Sequence, residues 1–243
     1  MKQLIRTQIR YWIPFETRKK IYIWKTKIED HRRGVDFASV CVGALSFSPI
    51  LTIRQSLGSG MSNQTVHNLK LAIGPIHDIV LKPNQVFSFL GVVGEASPQR
   101  GFQKSRSVHH GRLVDTYGGG ICLLASLIYQ AALQLGMEIV ERQNHSIDIH
   151  TDEHRDSPFG ADAAIAYPFK DLRIRNNHDH SFRFQFQLLE NTISLTVGAT
   201  GFVLKQEIVY QVFERGAQKV VHTKNHHNEL VAISVYRQCA DGD

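Results

Sequence analysis

The pattern of apolar and polar residues at the start of the chain is that of two short amphipathic helices. Ile5, Ile9 and Ile13 recur every four residues with basic residues on the other faces. This spacing predicts a first helix over residues 3–13, and Pro14 is expected to end it.

A second helix is predicted directly after Pro14. Ile21, Trp24 and Ile28 form an apolar stripe at helical spacing, and lysine and arginine residues fill the positions between them. An apolar stripe with an aromatic residue beside a cationic face suits an anionic bilayer surface, so peripheral membrane contact through residues 3–28 is one hypothesis. The alternative is a helical pair that packs on the domain and turns its basic face to solvent.

Helix and strand patterns alternate in the middle of the chain. The spacing of Val66, Leu69 and Ile73 predicts a helix, and a strand follows in which Phe87 and Phe89 share one face. A second helical stripe begins after Cys122 and ends near Gly136. Further strands are predicted over residues 137–140, 161–167 and 171–175.

The clearest hairpin lies in the C-terminal part. Phe182, Phe184 and Phe186 alternate with polar residues, and the alternation resumes at Ile193 after a short turn. The chain is therefore expected to have an α+β fold, in which a helix with a cysteine at its N-terminus packs on a mainly antiparallel β-sheet. We predict a basic helical arm over residues 1–33 and one domain over residues 34–243, with C-terminal β-hairpins over about 180–238.

The positive charge belongs to the arm and not to the domain. The chain of 243 residues has a formal net charge of +6, but its first 33 residues contain ten Lys and Arg against three Asp and Glu. The remaining residues contain 18 basic and 19 acidic side chains. A basic surface for nucleic acid is therefore not expected.

Cysteine use and the N-terminal sequence indicate the compartment. Cys41, Cys122 and Cys239 lie far apart, which argues against a disulfide framework and a cysteine-built zinc site. Charged residues recur through Arg33, so no secretory signal is expected.

The longest uncharged stretch, residues 37–53, is predicted to be core, with membrane contact as the alternative. We expect a cytoplasmic protein, peripheral at the inner membrane face.

Cys122 has the sequence environment of a reactive thiol. Gly118, Gly119 and Gly120 allow a tight turn that exposes backbone N–H groups, and the predicted helix start directs its positive end toward the sulfur. Such an environment lowers a thiol pKa and favours the nucleophilic thiolate. A cysteine without this environment is more often a small buried residue.

His145 and Asp162 are candidates to complete a catalytic triad with Cys122. A cysteine nucleophile needs a base, and His145 follows the strand that comes after the Cys122 helix. Asp162, on the next predicted strand, could orient the imidazole. The same order of Cys, helix, His and Asp occurs in papain-like and transglutaminase-like enzymes, although thirteen histidines make a downstream His unremarkable.

Six short motifs lie between about residues 60 and 190. They are Asn68-Leu69-Lys70-Leu71-Ala72, Leu81-Lys82-Pro83 with Phe87-Ser88-Phe89, Gly118-Gly119-Gly120-Ile121-Cys122, Val140-Glu141-Arg142 with His145-Ser146, Gly160-Ala161-Asp162-Ala163, and Asp171-Leu172-Arg173 with Asn176. In this order they resemble the VanW family.

The resemblance implies a bacterial protein of the cell envelope, linked in some gene contexts to vancomycin-type glycopeptide resistance. Some VanW-domain proteins are linked to peptidoglycan cross-linking as cysteine L,D-transpeptidases, which implies Cys122 as the nucleophile and a peptidoglycan stem peptide or lipid-linked precursor as the partner. No cofactor is implied. Substrate or oxyanion contacts are predicted for the glycines 118–120, Arg142 and Ser146.

The sequence departs from the family pattern near the predicted site. Leu123 follows the cysteine where the family usually has Gln, and Gln143 and Asn144 precede His145 where a second histidine is common. The family's Pro-Gly-Glu turn is Pro83-Asn84-Gln85 here. Two functions therefore remain open: acyl transfer through Cys122, and a non-catalytic module that binds peptidoglycan precursors, which the apolar Leu123 favours.

A metal site is the third hypothesis. His150 and His154 have the spacing of one helical face, but Ser157 and Pro158 follow and indicate a loop. We therefore predict no metal. The candidate ligands are His109, His110, His145, His150, His154, His226 and His227.

Overall fold

A computed structural model describes residues 13–40, 45–58, 61–109, 112–147 and 157–237. Residues 3–12 of the first predicted helix lie outside the described residues, as do Cys41 and Cys239.

The described chain contains four α-helices and four β-sheets, so the predicted α+β class is confirmed. The helices are α1 (Phe15–Arg32), α2 (Asn63–Ile76), α3 (Phe89–Val93) and α4 (Cys122–Gln134), with a 3₁₀ turn at Pro98–Arg100. The strands are β1 (Ser39–Val40), β2 (Ser48–Ser56), β3 (Ile79–Leu81), β4 (Val86–Ser88), β5 (Lys104–His109), β6 (Arg112–Tyr117), β7 (Glu138–Glu141), β8 (Arg173–Arg175), β9 (Phe182–Leu188), β10 (Thr192–Ala199), β11 (Val209–Arg215), β12 (Gln218–Lys224) and β13 (Leu230–Arg237).

The central sheet has the strand order β1-β3-β9-β10-β2 and is antiparallel. Its β9–β10 hairpin is the one that the phenylalanine alternation predicts, with Phe186 opposite Leu195. Phe182, Phe184 and Phe186 turn into the main core, where α4 supplies a largely buried helix. Burial on one face and polar residues on the other explain why the alternation identifies this hairpin correctly.

The other strands form three smaller sheets, with strand orders β4-β8-β7, β5-β6 and β11-β12-β13. All their strand pairs are antiparallel. An isolated bridge joins Ile147 to Arg237 and brings the β11-β12-β13 sheet beside the segment that follows β7. The last sheet of the chain therefore lies next to the predicted site.

The predicted strand position of Phe89 is wrong. The strand ends at Ser88, and α3 begins at Phe89 because Ser88 Oγ accepts a hydrogen bond from the Gly91 amide. Asp171 Oδ1 accepts another from the Leu90 amide at 2.8 Å. These side-chain acceptors satisfy helix-start amides that have no acceptor within the helix.

The predicted strand over residues 161–167 is also absent from the described structure. Its backbone amides donate hydrogen bonds to acceptors on separate elements and not to one neighbouring strand. The Ala163 amide donates to Ser126 Oγ at 3.0 Å, and the Ala164 amide donates to the Gln143 carbonyl at 2.7 Å. These single hydrogen bonds hold an irregular segment against α4 and replace a strand ladder. Only Ala166 forms a bridge, to Lys170.

The second predicted helix is present as α1, which lies against the body of the protein. Phe15 and Tyr22 make edge contacts with the Phe169 ring, with ring centroids 6.0 and 5.0 Å apart. Asp30 pairs with both terminal nitrogens of Arg173 at 2.7 and 3.2 Å. Within the described residues, none of the helices combines the length and apolar character needed to cross a bilayer.

Candidate active site

A tight turn formed by the three glycines leads into α4. Gly118 and Gly120 have positive φ values of 77° and 93°, a backbone region that favours glycine. Gly119 lies so close to the Ser105 backbone that a Cβ atom there would clash with it. The turn therefore requires these glycines, and it fixes the start of α4 beside the β5–β6 hairpin.

The turn leaves two backbone amides unused at the cysteine. The Ile121, Leu123 and Leu124 amides donate to carbonyls three residues earlier, at 3.3, 3.0 and 3.1 Å. Among the described residues, the amides of Gly120 and Cys122 have no acceptor. Free amides at a helix start can stabilise a negatively charged oxygen.

Cys122 is a free, half-buried cysteine at the first position of α4. Its Sγ accepts a hydrogen bond from the Ile165 amide at 3.4 Å. Burial raises the pKa of the Cys122 thiol, but the hydrogen bond and positive charge of His145 lower it, and the net pKa lies below its ordinary value. The environment therefore favours the thiolate.

His145 lies between the thiol and Asp162. Its Nδ1 is 2.6 Å from Asp162 Oδ2, and its backbone amide donates to the same oxygen at 2.7 Å. Burial lowers the pKa of His145, but hydrogen bonds to Asp162 and Cys122 outweigh burial and raise it to about 10. The raised pKa of His145 favours the charged imidazolium beside the Asp162 carboxylate.

Asp162 is the most heavily hydrogen-bonded member of the group. Burial raises the pKa of the Asp162 carboxyl, but His145 and the Arg142 charge lower it, to about 2. The structure brings Cys122, His145 and Asp162 together in the order expected for a nucleophile, a proton carrier and an orienting carboxylate. Asp162 occupies a loop and not the predicted strand.

Arg142 stabilises the Asp162 loop from the side that faces the protein interior. Its guanidinium donates to the carbonyls of Asp162 and Gly160, at 2.7 and 2.9 Å, and to Asp162 Oδ1 at 3.1 Å. It also lies 4.5 Å from the centre of the Tyr129 ring. With only 4% of its side chain exposed, Arg142 supports the site from the interior and does not line the cleft.

The β11-β12-β13 sheet contributes two residues that sequence reasoning missed. The Tyr236 hydroxyl donates to Asp162 Oδ1, and Ser234 Oγ accepts from Arg142 at 2.6 Å. Both lie on β13, about seventy residues beyond Asp162. The strand pattern predicts that one face of β13 is inward, but it gives no indication of what that face contacts.

A cleft of about 780 Å³ opens beside the three side chains. The β5–β6 hairpin supplies Lys104, Arg106 and Asp115 to its wall, and Arg106 and Asp115 lie directly opposite each other in the hairpin. These charged residues were also missed, because nothing in the sequence places this hairpin beside Cys122. The cleft is large enough for a peptide segment and offers charges of both signs.

The other predicted contact residues lie at different distances from the cleft. Gly120 lines it, whereas Gly118 and Gly119 are buried beneath the turn. Ser146 is exposed, and its carbonyl accepts from the Arg237 amide at 2.9 Å. Leu123 lies on the cleft wall next to Cys122 and packs against the main core. A direct substrate contact through these residues stays a prediction.

Metal-binding side chains do not cluster in the part of the chain that the structure describes. His226 and His227 stack on each other, with ring centroids 3.8 Å apart. His110, His150 and His154 lie outside the described residues, as does the side chain of His109.

Comparison with known proteins agrees with the motifs. The chain is 29% identical to vancomycin B-type resistance protein VanW of Enterococcus faecalis (strain ATCC 700802 / V583), over 53% of this chain and 46% of that protein. It is 31% identical to the uncharacterized protein YoaR of Bacillus subtilis (strain 168), over 46% of this chain and 36% of that protein. The chain thus spans less than half the length of either relative.

No solved structure matches the chain. The model of the VanW like protein family matches residues 64–197, which is more than half of the sequence and includes Cys122, His145 and Asp162. The chain belongs to the VanW-like protein family.

Proposed function

We propose that this protein is a cysteine acyltransferase that acts on peptidoglycan stem peptides, with Cys122 as the nucleophile. The observation that carries the proposal is that Cys122, His145 and Asp162 line one peptide-sized cleft, in which Asp162 holds His145 Nδ1 at 2.6 Å. The name of the relative VanW, a vancomycin resistance protein, supports a cell-wall context.

In the first half of the proposed reaction, the Cys122 thiolate attacks a carbonyl carbon of the donor peptide and forms a C–S bond. The oxygen becomes an oxyanion, for which the free amides of Gly120 and Cys122 are the donors at hand. The His145 imidazolium then gives its proton to the leaving amine, the C–N bond breaks, and a thioester on Cys122 remains.

In the second half, an acceptor amine attacks the thioester carbon and forms a new amide bond. His145 takes the proton that the amine loses, and Cys122 leaves as the thiolate, so the enzyme returns to its starting state. Asp162 keeps the imidazole in one orientation through both halves, and Arg142 and Tyr236 keep Asp162 ionised and in place.

The test is to incubate the full chain with a synthetic stem tetrapeptide and to measure the intact mass of the protein. We expect an added acyl mass on Cys122 that hydroxylamine removes, and a cross-linked product when an acceptor peptide is also present. A Cys122→Ala variant that folds like the wild type serves as the control. An acyl adduct that persists in this variant, or no adduct with any stem-peptide donor, would contradict the proposal.

The second candidate function is a non-catalytic module that binds peptidoglycan precursors. Leu123 favours it, because an apolar side chain on the cleft wall beside Cys122 replaces the polar residue usual in the family. The two functions differ in the effect of Cys122→Ala. Stem-peptide binding that survives this substitution, together with the absence of any acyl adduct in the wild type, would favour the binding module.

A further inference from the structure

Helix α1 has two faces with different surroundings. One face lies on the body: Lys19 pairs with Glu95, Asp30 with Arg173, and Tyr22 contacts the Phe169 ring. None of the 18 residues of α1, all of which the structure describes, is fully buried. The helix is therefore attached along one side and open along the other.

The open face combines large apolar side chains with cations. Trp24 is 64% exposed and Ile21 is 40% exposed, and both lie on the side of the helix opposite Asp30. Lys20 precedes Trp24 by one turn and Lys25 follows Ile21 by one turn, so the two lysines border the apolar pair. We call these four residues the α1 outer face. An exposed tryptophan in an apolar strip bordered by lysines is typical of helices that lie in a membrane interface.

The acidic residues of α1 do not neutralise the outer face. The helix contains six Lys and Arg against three Asp and Glu. Asp30 pairs with Arg173, Glu16 lies near Lys19, and Glu29 pairs with Arg33. Among the described residues, Lys20 and Lys25 have no ion pair. They are thus available for an anionic surface.

We propose that the α1 outer face binds an anionic membrane surface, with Trp24 and Ile21 inserted at the level of the lipid headgroups and Lys20 and Lys25 on the phosphates. The proposal is independent of the reaction at Cys122. Charge complementarity indicates the partner. An anionic bilayer has phosphates that can pair with the lysines and an apolar layer beneath them that can receive the tryptophan. Nucleic acid would satisfy only the lysines.

The test is sedimentation of the full chain with vesicles of phosphatidylcholine, with and without phosphatidylglycerol. We expect binding only when phosphatidylglycerol is present, and weaker binding as salt is raised. The Lys20→Gln/Lys25→Gln double variant is expected to bind roughly 25-fold more weakly, at about fivefold for each lost cation. Trp24→Ala is expected to weaken binding as well. The matched controls are Lys205→Gln and Phe202→Ala, which remove an exposed cation and an 84% exposed aromatic that are not part of α1 and should leave binding unchanged.

Fluorescence distinguishes membrane insertion from attraction to any polyanion. In a Trp12→Phe background, Trp24 emission should shift to the blue on vesicles and should not shift on duplex DNA. No binding to anionic vesicles, binding that the α1 variants leave intact, or equal binding to DNA without a blue shift on vesicles would overturn the proposal.

Discussion

Replacement of His145 by alanine is expected to lower the rate of acyl transfer to Cys122 by about 10²–10⁴-fold. The substitution removes the positive charge that lowers the thiol pKa, and it removes the proton donor for the leaving amine. The measurement is the rate of acyl-adduct formation with a stem-peptide donor, followed by mass spectrometry at neutral pH.

His222→Ala is a matched control, because its ring contacts Phe213 on the β11-β12-β13 sheet and lies outside the cleft. It should leave the rate within a factor of about two, as expected for a surface substitution. If His145→Ala acylates as fast as the wild type, His145 is not the proton carrier.

Arg142→Met is expected to lower the free energy of unfolding by about 1–3 kcal/mol, because it leaves inward-facing acceptors of the Asp162 loop without their donor. The carbonyls of Gly160 and Asp162 would lose their guanidinium donor, and the Asp162 carboxylate would keep only His145 and Tyr236 as partners. Methionine keeps much of the side-chain volume, so lost packing contributes little. Urea unfolding at neutral pH, followed by circular dichroism, measures the change.

Arg175→Met is the matched control, because the ion pair of Arg175 with Glu138 at 3.4 Å is partly exposed. It should cost at most about 1 kcal/mol, as is usual for exposed ion pairs. Equal effects of the two substitutions would show that the stability of the Asp162 loop does not depend on Arg142.

Three side chains that the sequence suggests for one site, those of Cys122, His145 and Asp162, lie together in the structure, and local chemistry marks the first two. The glycine run and the helix start identify Cys122, and a histidine after the next strand is the natural base. The β9–β10 hairpin was equally readable, since its phenylalanines alternate with polar residues over a full strand. In both cases the signal lies within a few neighbouring residues.

The segment that contains Asp162 was predicted incorrectly because its conformation depends on distant partners. The small apolar residues over 161–167 resemble a buried strand. In the structure, however, backbone groups of this segment form single hydrogen bonds with the side chains of Arg142 and Ser126. A pattern of residue sizes cannot reveal such side-chain anchors. Phe89 is similar: Asp171, more than eighty positions away, helps to start a helix where alternation predicts strand.

The support from Tyr236 and the charged cleft wall could not be predicted either. Each depends on how one sheet packs beside another, and strand alternation specifies a face without specifying its neighbour. Tyr236 also lies outside residues 64–197, the span that the family model matches. The residues that surround the triad therefore came only from the three-dimensional arrangement.

The most direct test of the Cys122–His145 pair is the pH dependence of Cys122 alkylation by iodoacetamide, in a Cys41→Ser/Cys239→Ser background, with and without His145→Ala. Reactivity should rise with pH through a thiol pKa clearly below the ordinary value of about 8.5. In His145→Ala the rise should move to higher pH, because burial, which raises the pKa of Cys122, is then unopposed by the imidazolium. A wild-type pKa at or above the ordinary value, unchanged by His145→Ala, would contradict an activated thiolate at this site.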